Sequence, residues 1–185
     1  MELHTYSNIE KTHVQDVYNK IASDFDRTRY YQWKGIKDFI NGLQNNSLIA
    51  DIGCGNGKNM IDNRHIFVGF DFSIEFAKIC NKKGIQSIVA NNTNIPCRNN
   101  FFDNTISVAV IHHLSTKVQR KKCINELIRI TKPENYKTLS FFPKIIFLNK
   151  SEIKRIKINN FVYTESTKMC GYSFAPCTHY LNKKL

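Results

Sequence analysis

Residues 48–58 read Leu48-Ile49-Ala50-Asp51-Ile52-Gly53-Cys54-Gly55-Asn56-Gly57-Lys58. A short apolar run ends beside an acidic residue and then meets three glycines at alternate positions. The run has the length and composition of a buried strand. Glycines directly after a strand permit positive φ and let a ligand come close to the backbone. A helix starting near Lys58 is expected to follow, with its free N–H groups aimed at a negative group. Two phosphate-binding patterns fail on spacing. G-x-G-x-x-G requires glycine where Lys58 stands, and G-x-x-x-x-G-K-[ST] fails at Ile52 and at Asn59.

Outward from this turn, strands and helices alternate. Upstream, Thr12-His13-Val14-Gln15 has the form of a capping box. Behind it Val14, Val17, Ile21 and Phe25 recur at helical spacing, and a second amphipathic stretch carries Trp33, Ile36, Phe39, Ile40 and Leu43. Downstream, strands are expected at Leu48–Ile52, His65–Phe70, Gln86–Ala90, Asn104–Val110 and Tyr136–Phe142. Ser73 is placed to cap a helix through Cys80, and Ser115–Ile130 reads as another helix. Ser151–Ile158 reads as a further helix, with Phe161–Glu165 and Thr178–Asn182 as closing strands. Such alternation implies an α/β fold with a parallel sheet covered on both faces, and ligands in such sheets sit beyond the carboxyl ends of the strands.

The candidate ligand residues cluster at those ends. Asp71 closes the second strand, 20 residues after Asp51, where a carboxylate can accept hydrogen bonds from two adjacent ribose hydroxyls. Alone, a strand-end Asp is more often a turn residue; coupled to the glycine turn it reads as a nucleoside contact. Asn91-Asn92 follows the third strand, and an amide oxygen there can accept an adenine amino hydrogen.

The 185 residues suit one α/β domain, 1–185, with residues 1–45 as helices that shape the pocket. No stretch approaches the roughly 20 consecutive apolar residues of a membrane span. The amino terminus has no basic segment followed by an apolar one, so the expected compartment is the cytosol or nucleus. None of the six cysteines forms a Cys-x-x-Cys pair, so a structural zinc site is not expected and the thiols read as reduced. The net charge of +12 is lopsided. Residues 1–116 hold 12 basic and 11 acidic side chains, whereas 117–185 hold 15 and 4. A basic surface raises the local concentration of a polyanion; a merely solvated lysine-rich face is the competing reading.

The spacing D-x-G-x-G-x-G resembles the turn of methyltransferases. More specific segments are His13-Val14, Val17-Tyr18-Asn19-Lys20-Ile21-Ala22, Thr28-Arg29-Tyr30 with Trp33, Asn94-Ile95-Pro96, and Ile106 to His113 with Ser115-Thr116 and Arg120. With them, the chain from about His13 to Pro133 resembles the eukaryotic tRNA wobble-uridine carboxymethyl methyltransferases. The resemblance implies a Rossmann-like class I fold: a seven-stranded, mostly parallel sheet with helices on both faces and one antiparallel closing strand. It implies S-adenosylmethionine as cofactor, tRNA as substrate, no catalytic metal, and a small zinc-binding activator subunit that extends the sheet edge. The implied reaction methylates the carboxylate of carboxymethyluridine at the wobble position, giving a methyl ester.

The resemblance also assigns roles. Tyr18, Asp51, Gly53, Cys54, Gly55, Gly57, Asp71, Phe72, Asn91, Asn92 and Ala109 are the cofactor set. Arg29, Tyr30 and His113 are the catalytic set, with Arg29 as the fork for the substrate carboxylate. Trp33, His112 and Arg120 are the substrate set. Lys121, Lys122, Lys154, Arg155 and Lys157 continue a basic tract expected to contact tRNA backbone. The chain departs from the pattern in three places. Asn91 stands where many methyltransferases carry Asp, Glu134-Asn135 replaces a Gly-Gly, and the family's longer segment after the fifth strand is absent. Two alternatives remain: a methyltransferase of a small-molecule or protein carboxylate, and a catalytically silent RNA-binding paralogue.

Overall fold

The computed structural model describes Asn8, residues 10–133 and the backbone of residues 140–142. Within these residues the chain builds a parallel sheet from β1 (Leu48–Ile52), β2 (Ile66–Asp71), β3 (Ser87–Val89), β4 (Asn104–Val108) and β5 (Ser140–Phe142), in the order β3-β2-β1-β4-β5. All four pairings are parallel, with Leu48 opposite Ile66, Ile49 opposite Asn104 and Gly69 opposite Ser87. After β1 the chain builds outward to β3, then returns to the other side of β1 for β4. That reversal leaves a crevice at the carboxyl end of β1, between β2 and β4.

Alternation along β1 decides which face each residue serves. Ala50 and Ile52 lie in one buried cluster with Phe70, Phe102 and the inner face of α4 (Lys117–Ile130), namely Cys123, Ile124, Leu127 and Ile130. Ile49 joins the opposite cluster with Ile106, Phe67, Met60, Cys54 and Cys80, sealed by Ile36 and Ile40 of α2 (Lys34–Asn41). Asp51 shares the face of Ile49 and is fully buried. Helix α3 (Ile74–Lys82) begins as expected, with the Ser73 hydroxyl accepting from the Phe76 N–H at 3.3 Å. Helix α4 starts two residues later than expected, because Thr116 is its cap and accepts from Gln119 N–H at 3.1 Å.

Three expectations are corrected. No helix follows the glycine turn. Asn56, Asn59, Asp62 and Asn63 are weak helix formers, and they close turns instead, with Met60 N–H on Gly57 O at 2.9 Å and His65 N–H on Asp62 O at 3.2 Å. The anion-attracting helix end near Lys58 therefore does not exist. Secondly, β4 stops at Val108, because Ala109 takes φ +57° and turns the chain. Thirdly, Thr12 caps nothing: it lies inside a π-helical turn, Lys11–Gln15, that runs straight into α1 (Asp16–Thr28). The helix itself is present, and Val17 and Ile21 of its apolar stripe are not buried. Those residues are 42% and 37% exposed, because α1 crosses the strand ends rather than lying on the sheet, and only Ala22 of α1 is fully buried. The proposed elements at 151–158, 161–165 and 178–182 lie outside the described residues, as do Lys154, Arg155 and Lys157.

Candidate functional site

The glycine turn is shaped by two different demands. Gly53 has φ +77°, and a Cβ there would meet Val110 Cγ2 at 2.2 Å, so this glycine is dictated by packing. Gly55 has φ +54°, yet the nearest atom to its notional Cβ is a Phe25 ring carbon at 3.9 Å. A Cβ at Gly55 would therefore make only an ordinary contact, and the positive φ rather than crowding favours glycine where a ligand could approach the backbone.

Asp71 fastens this turn to the end of β2. Its carboxylate accepts from Gly55 N–H and from Ser73 N–H, both at 2.8 Å. Burial raises its pKa, and the N–H bonds from Ser73, Gly55 and Phe72 work against that rise. A carboxylate offers about four acceptor directions, so with three N–H donors in place one remains for a hydroxyl donor.

Asp51 is less well provided. Its Oδ2 accepts from the Asn59 amide at a long 3.4 Å, and its Oδ1 has no hydrogen-bond partner among the described residues. Burial pushes its pKa up to about 7; Asn59 and the Lys58 charge oppose this, while the Asp71 charge adds to it. A buried carboxylate oxygen without a donor is costly. It marks where a cationic or N–H-bearing ligand would be stabilised. Asn92 Oδ1 is likewise buried without a partner among the described residues, as are Asn56 Oδ1 and Asn59 Oδ1. Asn91 differs: its Oδ1 accepts from Thr93 N–H and Thr93 Oγ1, both at 2.9 Å, so its acceptor closes a local turn and the residue is exposed.

Helix α1 and the π-helical turn close the crevice from above. Gln15 Nε2 donates to Phe72 O at 2.8 Å, and Asn19 Oδ1 accepts from Ser73 Oγ at 2.6 Å. Glu10, buried ahead of the turn, accepts from Ser115 N–H and Oγ at 3.3 and 3.2 Å. Tyr18 OH meets His113 Nε2 at 2.9 Å, and the Tyr18 and Phe25 rings pack on Phe76 at 6.0 and 5.1 Å. The helical arm is thus pinned to the end of β2 and to the segment after β4. Burial, followed by the charge of His112, pushes His113 down to about 3, so its imidazole is neutral at physiological pH. Sequence reading missed Glu10, Gln15 and Asn19, because polar residues on a helix read as a solvated face. Asn56 and Asn59 were missed because asparagine among glycines reads as turn chemistry.

The remaining candidates spread along the rim. Arg29 caps α1, with its guanidinium carbon 4.9 Å from the Phe25 ring centroid. The acids nearest in sequence serve other cations: Asp24 pairs with Arg27 at 3.0 Å, and Asp26 pairs with Lys83. Trp33 packs against the α2-side core, with Lys58 Nζ 5.5 Å above its ring. Tyr30 is 58% exposed. His112 is exposed and stacks on His113 at 4.1 Å. Arg120 donates to Leu114 O at 2.6 Å and so braces the turn that carries the two histidines.

Residues 50–136 match a family model described as a methyltransferase domain. A tRNA (carboxymethyluridine(34)-5-O)-methyltransferase of Arabidopsis thaliana is 44% identical over 129 residues, 69% of this chain and 32% of the relative. A protein of that name from Schizosaccharomyces pombe is 36% identical over 121 residues, 65% of this chain and 53% of the relative. Among solved structures, a Haloferax volcanii methyltransferase in complex with the Trm112 methyltransferase activator superposes with a TM-score of 0.57. It shares 18% identity, over 65% of this chain and 56% of that one, which speaks to the fold. The strand order, the glycine turn and this domain match define a Rossmann-like methyltransferase of the S-adenosylmethionine-dependent class. Within that class the chain is similar to proteins named as tRNA (carboxymethyluridine(34)-5-O)-methyltransferases. It spans about a third of the length of the Arabidopsis relative and about half of the fission-yeast one.

Proposed function

We propose that this chain transfers a methyl group from S-adenosylmethionine to the carboxylate of carboxymethyluridine at the tRNA wobble position, giving the methyl ester. The observation that carries the reading is the strand-end constellation of Asp51, Gly55 and Asp71 in a chain 44% identical to a protein named for this reaction.

The residues present fit the cofactor. Gly55 lets an adenosyl group come close to the backbone, and Asp71 keeps an acceptor direction for a ribose hydroxyl. The buried, partnerless oxygens of Asp51 and Asn92 suit the ammonium end and the adenine amino group. Bound there, the cofactor supplies an electrophilic methyl group on a sulfonium.

The acceptor needs little from the protein beyond placement. A carboxylate has an unperturbed pKa of about 4, so at neutral pH it is ionised and no proton has to be removed. His113, neutral and bonded to Tyr18, serves to orient rather than to abstract. Arg29 sits at the lip of the crevice, where its planar fork can hold two carboxylate oxygens at once. The crossing helix α1 limits the water that competes for the donor methyl.

The wider assembly follows from the same reading. The sheet continues to seven strands with one antiparallel closing strand, and residues 1–185 form one domain acting in the cytoplasm. Among the described residues β3 is an edge, and its Ile88 and Val89 are 43% and 46% exposed. An activator subunit, zinc-binding and shared with other methyltransferases, would add a strand there. None of the described helices is long and apolar enough to cross a membrane.

The test is to incubate the chain, with and without the activator, with S-adenosylmethionine and tRNA bearing unesterified carboxymethyluridine. Nucleoside mass spectrometry should show the methyl ester. Arg29→Ala should lower ester formation roughly 10- to 100-fold, the scale of a charged hydrogen bond, with cofactor affinity nearly unchanged. Equal loss of both would remove Arg29 from the substrate site.

A further inference from the structure

The segment between α1 and α2 runs Arg29-Tyr30-Tyr31-Gln32-Trp33, five consecutive residues whose side chains all end in planar π groups. It forms no regular structure, yet it is held at both ends against the glycine turn. Asn56 Nδ2 donates to Arg29 O at 3.2 Å, and Gln32 Nε2 reaches Asn59 O at 3.4 Å. Trp33 is packed into the core below. The two residues between these anchors point outward: Tyr30 is 58% exposed and Tyr31 is 75% exposed. Their rings lie 4.3 Å apart, centroid to centroid, at 40°. Two large aromatic rings kept in water at a fixed position are costly unless something covers them.

The surroundings indicate the chemistry of what covers them. Arg29 and Lys58 stand close enough that the Arg29 charge, second to burial, lowers the Lys58 pKa. Lys34 and Lys37 are exposed on the following helix. Exposed aromatic rings beside several cations suit unpaired nucleobases on a phosphate backbone. Turning a nucleotide out of its stack removes the stacking of its neighbours, and an aromatic surface beside the reaction site replaces it.

We propose that Tyr31, braced by Tyr30, is a stacking platform for an unpaired RNA base next to the nucleotide that receives the methyl group. This rests on the RNA-methylating reading above. Because the segment is bonded to Asn56 and Asn59, the platform is fixed relative to the cofactor turn and sets the register of the RNA loop.

Binding of an anticodon stem-loop RNA to the full chain tests it, alongside calorimetric titration of S-adenosylmethionine as a check on folding. Tyr31→Leu should weaken RNA binding roughly tenfold or more, the scale of one lost base stack. It should raise KM for the RNA more than it lowers kcat and leave cofactor affinity unchanged. Tyr31→Phe and Tyr31→Trp should retain binding, which a merely structural or hydrogen-bonding tyrosine would not. Unaltered RNA affinity in Tyr31→Leu, in a chain that binds the RNA, overturns the platform and leaves the methylation reading standing. Failure of the unaltered chain to bind the RNA at all overturns both.

Discussion

Asp51 carries the sharpest electrostatic consequence. Its carboxyl, buried and short of donors, is held up at about 7, against an unfolded value of about 4. Between those values the folded chain binds more protons than the unfolded one, so this group makes stability fall as pH rises from about 4 to about 7. Thermal unfolding of the ligand-free protein followed against pH should show that fall, and Asp51→Asn should flatten it. A cation bound beside Asp51 favours the ionised form, so S-adenosylmethionine affinity should rise with pH through about 7. Affinity that is independent of pH would separate Asp51 from the cofactor. At this scale the motif residues were legible, because D-x-G-x-G-x-G is written in backbone requirements that few residues meet. The asparagines and Glu10 were not, since their roles depend on partners as far as 105 positions away in sequence.

Among the elements, helix α1 departs most from its sequence pattern. Its apolar residues recur at helical spacing, whereas the contacts that fix it to the strand ends include several polar ones. Asn19 is the clearest, accepting from Ser73 Oγ at 2.6 Å and meeting Glu75 N–H at 3.5 Å. Asn19→Ala should cost about 1–2 kcal/mol. Most of that loss should show as faster local opening of α1, read by amide hydrogen exchange, with the sheet protected as before. Uniform loss of protection would mean that α1 is part of the global folding unit. The strands were legible because β1, β2 and β4 are short apolar runs broken by turn residues. The missing helix after Gly57 was not, because a general rule for strand–turn–helix units outweighed the local Asn and Asp content. The end of β4 at Ala109 was equally hidden, since an alanine with φ +57° has no sequence signature.

At the scale of the whole molecule, charge and fold make separate statements. Most of the positive excess belongs to residues 117–185. Of the expected basic tract, Arg120 is half-buried against Leu114 O, whereas Lys121 and Lys122 are exposed. Affinity for tRNA should therefore fall steeply as salt rises, with log Kd rising in proportion to log salt by about 0.7–0.9 per phosphate contact. A flat response would remove the nucleic-acid surface. The fold makes the prior claim, that the turn leaving β1 lodges an adenosyl sulfonium, and Gly55 separates that claim from stability. An alanine there finds no clash, and its backbone strain costs about 1–2 kcal/mol. The decisive measurement is calorimetric titration of the folded chain and of Gly55→Ala with S-adenosylmethionine, in the presence and absence of the activator. One-to-one binding by the chain, with loss in a Gly55→Ala variant that still melts cooperatively, is the expected result; a chain that takes up no cofactor under either condition, or a variant that binds it equally well, would contradict it.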